Sequence, residues 1–401
     1  MNIFSLRSLC TSALFLAAAL STQAADFFDP IDGQLDMSQF LSENAYGFLP
    51  VPIIITDPSV DGGLGMMGLF FHENEEDKEA RLKAMQSATS NAGKYLMPPS
   101  VSAVAGVKTG NDSWFVGGGH MGFFKHGDIR YTGGGGYGDV NLDFYGSGSI
   151  QLQKPVEINT KATVVMQNLK FRLGKSNWFL GPTQQYINSE ISPVTLGTIE
   201  DYLPPAWSEQ LKKWLTVDVT TSALGAVLEY DSRDNIFTPT SGYQYQFNAK
   251  RFDEAIGSDI DYSLMSLQGL NYWPLSERMR VGLKVAGEKA NADGFLPPFA
   301  MPSVSLRGIP AMRYQGMKVA MTEAEFGYGF TPRWRGLLFG GSGRAATSDE
   351  ELFDSKALNT YGAGFRYQIA RRYGFDMGMD FAEGPDGLVW YITAGSAWSG
   401  M

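Results

Sequence analysis

Asp231 and Asp234, with Arg233 between them, are residues whose type and spacing suit chemistry. Two carboxylates held in different environments divide into an acid and a base for hydrolysis. The surrounding residues argue for a turn instead: Asp caps turns, Pro239 fixes φ, and Gly242 permits a backbone that a side chain would hinder. Only His72, His120 and His126 offer an imidazole base. His126 falls in a Lys125-His126-Gly127 turn. His120 shares its parity with Trp114, Val116 and Gly122, which admits an inward orientation but brings no Ser/Asp pair beside it. With Cys10 the single cysteine and no paired His at ligand spacing, neither a metal nor a cofactor is expected. Gly133 to Gly136 lacks the Lys-Ser/Thr and helix that follow a phosphate loop, and reads as small residues in a crowded sheet. The chain is therefore expected not to be an enzyme. Arg307 is different. Flanked by Gly308 and Pro310, its guanidinium can fold back from a loop into an interior where low dielectric favours a bidentate acid over water.

The elements that would hold these residues follow from composition. Among 401 residues, 44% are hydrophobic, 18% charged and 47 are Gly, which excludes disorder, collagen and a disulfide scaffold. A net charge of -10 argues against nucleic acid, because neutralising phosphates takes surplus Lys and Arg. Arg7, the apolar run Leu9 to Leu20 and the small residues of Thr22-Gln23-Ala24 read as an export signal, residues 1–24, cut after Ala24. Residues 25–48 are expected to form a tail or small plug, and 49–401 one large domain. No run of about 18 apolar residues follows Ala25, so transmembrane helices are excluded.

What remains is alternation. Phe375, Met377, Met379 and Phe381 oppose Gly374, Asp376, Gly378 and Asp380, and the same period of two runs through 242–250 and 278–288. A sandwich's polar face meets bulk water and needs no glycine; here that face mixes charge with Gly, and the strands are long and end in Tyr or Trp. This pattern predicts an all-β, closed antiparallel transmembrane barrel of about 16 strands in the outer membrane of a Gram-negative bacterium. The segments are 49–56, 63–72, 101–109, 113–124, 128–146, 156–172, 177–188, 217–231, 242–253, 260–274, 278–290, 317–331, 334–346, 357–370, 373–382 and 387–398. The last would turn Leu388, Trp390, Ile392, Ala394 and Trp398 to lipid. Three stretches exceed turns: a helix-like 73–100, a loop 190–216, and a Pro-rich loop 291–316 carrying Arg307.

In that loop, Leu306-Arg307-Gly308-Ile309 resembles the V/L-R-G-aromatic motif of the BamA/TamA superfamily, the bacterial surface antigen barrels. Further matches stand in order: Asp231-Ser232-Arg233-Asp234 with Pro239 to Gly242, then Gly362-Ala363-Gly364-Phe365-Arg366-Tyr367, then the closing Gly395-Ser396-Ala397-Trp398. The resemblance covers 215–401, without the periplasmic POTRA-type domains of the large members. It implies that Arg307 and Gly308 ride an inserted loop, that Asp231, Arg233, Asp234, Pro239 and Gly242 form a periplasmic turn, and that Gly362, Gly364 and Arg366 mark the fourteenth strand. It also implies that Gly395 and Trp398 belong to a segment read by the barrel assembly machinery during biogenesis. The family's usual acid would fall near Gly341, where there is none; Glu323, Glu325, Asp376 and Asp380 are the inward acids that replace it as latch candidates. The implied function is insertion or translocation of proteins or lipids, through an opening between first and last strands. Expected partners are outer-membrane lipids and lipopolysaccharide, the assembly machinery, and a periplasmic accessory protein, with no nucleic acid. The alternatives are a passive or gated small-solute channel and, remotely, an outer-membrane lipid hydrolase.

Overall fold

The computed structural model describes residues 27–38, 48–72, 100–147, 150–193, 218–294, 296–347, 351–371 and 374–398. The export signal 1–24 lies outside these residues, as do 73–99 and 194–217, which hold nearly all of the expected helix-like stretch and of the 190–216 loop.

Sixteen strands follow in chain order: β1 (Phe48–Ile55), β2 (Gly63–His72), β3 (Ser100–Thr109), β4 (Trp114–Phe124), β5 (Ile129–Ser147), β6 (Ile150–Arg172), β7 (Trp178–Pro193) and β8 (Asp218–Asp231). The second half comprises β9 (Gly242–Phe252), β10 (Tyr262–Pro274), β11 (Met279–Ala292), β12 (Lys318–Gly329), β13 (Trp334–Ala346), β14 (Leu358–Ala370), β15 (Phe375–Gly384) and β16 (Gly387–Ala394). Each is antiparallel to its neighbours in one sixteen-stranded sheet. This is the all-β barrel that the alternation implies. An even count returns both ends to one rim, here the terminal rim; the other is the far rim.

Two differences have physical causes. β6 and β7 run longer than the apolar pattern because they pair beyond the sheet's middle, Lys161 with Glu190 and Ile158 with Pro193, so 190–193 are strand rather than loop. β16 stops at Ala394, not at Trp398. Gly395 adopts φ +78°, a conformation that glycine tolerates and a side chain resists, and the chain turns inward there. Trp398 is therefore not on the lipid face. It is buried in the lumen among Leu270 and Tyr272.

The two faces separate cleanly elsewhere. Met377 and Phe381 are exposed outward, whereas Asp376 and Asp380 are buried inside. Aromatic rings gather on the outside near the terminal rim: Trp178, Tyr230, Tyr245, Tyr243 and Trp273 follow one another at centroid distances of 5.2, 6.3, 6.2 and 6.4 Å. Amphipathic rings favour that depth, where lipid gives way to water. β1 and β16 are the sheet's edges, and no ladder joins them among the described residues. Pro50 and Pro52 sit in β1, an edge position where a missing N–H is tolerated.

Candidate functional site

The loop between β11 and β12 leaves the far rim and descends into the lumen. Apolar burial holds it there: Val304, Leu306 and Ile309 pack with Val319, Met321, Ala345 and Leu358 of the inner wall, and Leu296 and Met301 join a second cluster with Ile158 and Phe252. Each buried aliphatic side chain contributes about 1.5–3 kcal/mol, enough to oppose the entropy of ordering a loop of this length.

Leu306 positions Arg307 at the centre. Its Nε and Nη2 donate to Glu323 Oε1 at 3.0 and 2.8 Å, and its backbone N–H reaches Glu323 Oε2 at 3.3 Å. Nη1 lies 3.0 Å from both Asp380 Oδ2 and Glu325 Oε2. The guanidinium also covers the Phe339 ring, 3.6 Å from its centroid. A second cation balances these acids: Arg366 forms a bidentate pair with Asp380 at 2.7 and 2.8 Å. Arg307, Glu323, Asp380 and Arg366 are all buried. Trp398 completes the cluster, its indole N–H donating 2.5 Å to the Glu323 oxygen that Arg307 also uses. Arg307 thus meets three of the four inward acids. Asp376 does not reach it and pairs with Arg335 at 3.2 Å.

Register explains where the acid went. Glu323 lies directly opposite Gly341 across the β12–β13 ladder, so the carboxylate stands one strand over at the height where the family pattern would place it on β13. Gly364 leaves room for the Asp380 carboxylate, and Gly362 for the Phe339 ring, since a Cβ at either would fall within 2.4 Å of those atoms. Gly308 has φ +90° and its N–H donates to the Tyr391 hydroxyl of β16 at 3.0 Å. Three residues on, Ala311 N–H donates to Asp57, just beyond β1, at 3.1 Å. Arg313 reaches Asp386 in the β15–β16 turn at 3.1 Å. The loop tip therefore touches both edges of the unpaired seam.

The turn between β8 and β9 closes the lumen from the terminal rim. Asp231 accepts from Arg130 at 2.8 Å and Arg233 at 2.9 Å, while Glu229 accepts from Lys170 at 2.6 Å. Asp234 accepts the Thr240 and Ser241 amides, which fixes the loop bearing Pro239, and Gly242 starts β9. The Asp231/Asp234 pair is a structural knot, each acid accepting several hydrogen bonds from the turn and the wall. The same turn holds the chain's end, Ser396 N–H donating to Phe237 carbonyl at 2.7 Å.

The sequence pattern did not reveal a third cluster. Arg333, in the β12–β13 turn, is ringed by Asp29, Asp32 and Asp36 at 2.6, 2.7 and 2.5 Å, and Arg371 also meets Asp29. The signal was available in the Asp29, Asp32, Asp36 spacing, which no apolar period explains. Residues 27–38 are thereby strapped to the terminal rim, with Tyr367 donating to Leu35 carbonyl. Burial opposes the charge on Asp29, but Arg371, the Ile31 amide and the field of Arg333 outweigh it and hold its carboxyl below the usual range. The hydrogen bond from Arg333 does the same for Asp32, against partial burial. Depressed folded values mean that the docking contribution is complete above the unfolded carboxylate value of about 3.9 and fades as pH falls below it. Protection of residues 27–38 from protease should stay constant from about pH 8 to 5 and drop below about pH 4, whereas Arg333→Ala should abolish it throughout. Unchanged protection in Arg333→Ala would show that the strap is held by something else.

Residues 130–300 match the Omp85 superfamily domain. No curated protein matches the sequence. Among solved structures the fold is similar to BamA from Haemophilus ducreyi lacking POTRA domains 1–3, at 12% identity and a TM-score of 0.53, covering 86% of this chain and 69% of that one. It is equally similar to CdiB from Escherichia coli, at 11% identity, TM-score 0.53, and 86% and 62% coverage. CdiB from Acinetobacter baumannii matches at 11% identity and TM-score 0.53, with 86% and 59% covered. At these identities the likeness establishes the fold. This chain spans less than two thirds of either CdiB.

Proposed function

An Omp85 superfamily domain within a BamA-like outer-membrane barrel is the premise from which we propose that this chain inserts or translocates macromolecules at the outer membrane through the β1–β16 seam. The observation that carries this reading is the loop tip, which bonds to Tyr391 on one edge and to Asp57 beyond the other while anchored below by Arg307. A sheet whose edges share no ladder among the described residues has backbone groups available to a substrate strand, because unsatisfied N–H and C=O groups in lipid are costly and recruit partners. The latch made by Arg307 and Gly308 with Glu323, Glu325 and Asp380 sets when that seam opens; Asp376 steadies the rim instead.

A steady solute pore fits less well. The inserted loop and Trp398 occupy the lumen, and the space at the terminal rim is a cavity of about 610 Å³ lined by Arg278, Arg335, Asp234 and Asp376.

The test uses liposomes holding the full chain and a urea-denatured outer-membrane barrel as client. The protein should speed the client's folding, read as heat-modifiable gel mobility. A bis-maleimide link between cysteines at Ile54 and Leu388, at the far-rim ends of β1 and β16, should remove that acceleration. Equal rates with and without the link would sink seam-mediated insertion, and a large steady conductance in a planar bilayer would favour the channel.

A further inference from the structure

The outside of the barrel is not uniform, and the exception points to a partner within the membrane. From β7 onward the outer face near the terminal rim carries the aromatic girdle that lipid requires. On β2 to β6 the exposed rings near that rim are the apolar Phe70, Phe124 and Phe171, and they share the face with hydrogen-bonding side chains. A row of polar side chains crosses the sheet there, joined by hydrogen bonds and, between His120 and Tyr131, by a ring contact. His72 Nε2 lies 2.8 Å from Ser102 Oγ, which lies 2.9 Å from His120 Nδ1. The His120 ring is 6.1 Å from that of Tyr131, whose hydroxyl donates to Gln167 at 3.1 Å, and Gln167 donates to Gln184 at 3.0 Å.

These residues point outward. His120 shares its face with exposed Val116 and Phe124, Ser102 with exposed Val104, and Tyr131 with exposed Tyr137. Opposite parity on β5 sends Arg130 into the lumen to Asp231. His120 therefore faces away from the lumen, and the inward orientation admitted by its parity is corrected. Small residues flank the row on the same face. A Cβ on Gly133 would fall 2.3 Å from the Tyr131 hydroxyl, so its absence lets the phenol lie flat across the wall to Gln167. A Cβ on Gly118 would meet Val104, and one on Gly135 would meet Val165. The result is a smooth wall with a polar seam.

Polar groups facing hydrocarbon are costly, and a bare glycine wall packs poorly against mobile acyl chains. Both features are what close packing of two membrane-embedded surfaces uses: small residues admit backbone approach and hydrogen bonds hold the pair. The hydrogen-bond inventory says which surface. Ser102 has one proton, so with neutral rings it accepts from one histidine and donates to the other. Among the described residues the first ring then keeps an acceptor nitrogen, and the second an N–H donor, for a partner. One patch bears both halves of a hydrogen bond.

We propose that the outer face of β2 to β6 docks against the same face of a second copy of this chain, with the His72–Ser102–His120 row opposite itself. Two copies inserted with the same orientation are related by a two-fold axis along the membrane normal, so each row meets its twin at equal depth and the free donor of one faces the acceptor of the other. Five strands about 4.8 Å apart and a lipid band about 25 Å tall give roughly 500 Å² per copy, near the lower size of a specific interface. This inference requires only that the chain be a membrane barrel and is independent of the seam.

Crosslinking in bilayers tests it. In a Cys10→Ser background the chain has no other cysteine, so Val104→Cys, at an exposed position on this face, reports on it alone and Leu338→Cys, on the outside of β13, on random encounters. In liposomes at low protein content, with folding checked by heat-modifiable mobility, a short bis-maleimide should give a dimer band at least about tenfold stronger for Val104→Cys than for Leu338→Cys. Adding His120→Phe should bring the yield down to that of the control while the barrel remains folded. Equal yields from the two cysteine variants overturn the proposal. So does crosslinking in cell outer membranes to a different protein when liposomes give no dimer, which would assign the face to another partner.

Discussion

Arg307→Ala should loosen the inserted loop and raise conductance. Removing the guanidinium leaves Glu323 and Asp380 buried, with Asp380 retaining Arg366 but Glu323 retaining no cation, only the Trp398 indole and the backbone N–H of residue 307. Breaking one side of a buried ion pair costs about 3–5 kcal/mol, because the remaining charge is stranded. Spent on the loop, that energy would raise its open population by about two to four orders of magnitude, at about 1.4 kcal/mol per tenfold. Protease cleavage between Asn291 and Gly316 should accelerate accordingly where opening is fast relative to cutting. Glu323→Gln should reproduce much of the effect, since its carboxylate takes two side-chain bonds and a backbone bond from Arg307. The double variant should be no worse than Arg307→Ala, the signature of one shared interaction. Asp376→Asn should leave the loop untouched and act only through Arg335. If Arg307→Ala changes neither cleavage nor conductance, the latch idea fails and apolar packing alone seats the loop.

The barrel was legible because a period of two is written residue by residue. Phe375, Met377, Met379 and Phe381 show lipid against Asp376 and Asp380 without reference to any other strand, and repeated turns delimit the strands. The same parity marks Glu323, Glu325, Asp376 and Asp380 as inward. It cannot say which guanidinium each meets, because that depends on register between strands distant in sequence: Asp380 lies opposite Gly364 and two positions from Arg366. Two kinds of feature were invisible to the pattern. Trp398 continues the apolar run of β16, yet Gly395 breaks the strand and sends the ring inside. His72, Ser102 and His120 lie up to 48 residues apart on three strands, and only the ladder brings them side by side.

Trp398→Ala should be the most damaging change at the chain's end, for a reason unrelated to lipid. The ring is buried in the lumen against Leu270 and Tyr272, and it lies flat on Gly282, whose absent Cβ would come within 2.7 Å of it. Truncating a buried Trp costs about 3–5 kcal/mol in lost contacts and cavity. It also withdraws the indole donor from Glu323, so part of the loss should appear at the loop. Trp398→Phe separates the two effects: it keeps most of the packing, removes the N–H, and should loosen the loop with a smaller stability change of about 1–3 kcal/mol. Urea unfolding of purified protein from liposomes measures these losses without assembly machinery. In cells, the folded amount of Trp398→Ser tests the proposed reading of this segment during assembly. A defect in cells far exceeding the loss in liposomes would assign Trp398 to recognition as well as to the lumen. Full stability of Trp398→Ala in liposomes would instead mean that the inward turn at Gly395 contributes nothing to holding the barrel shut.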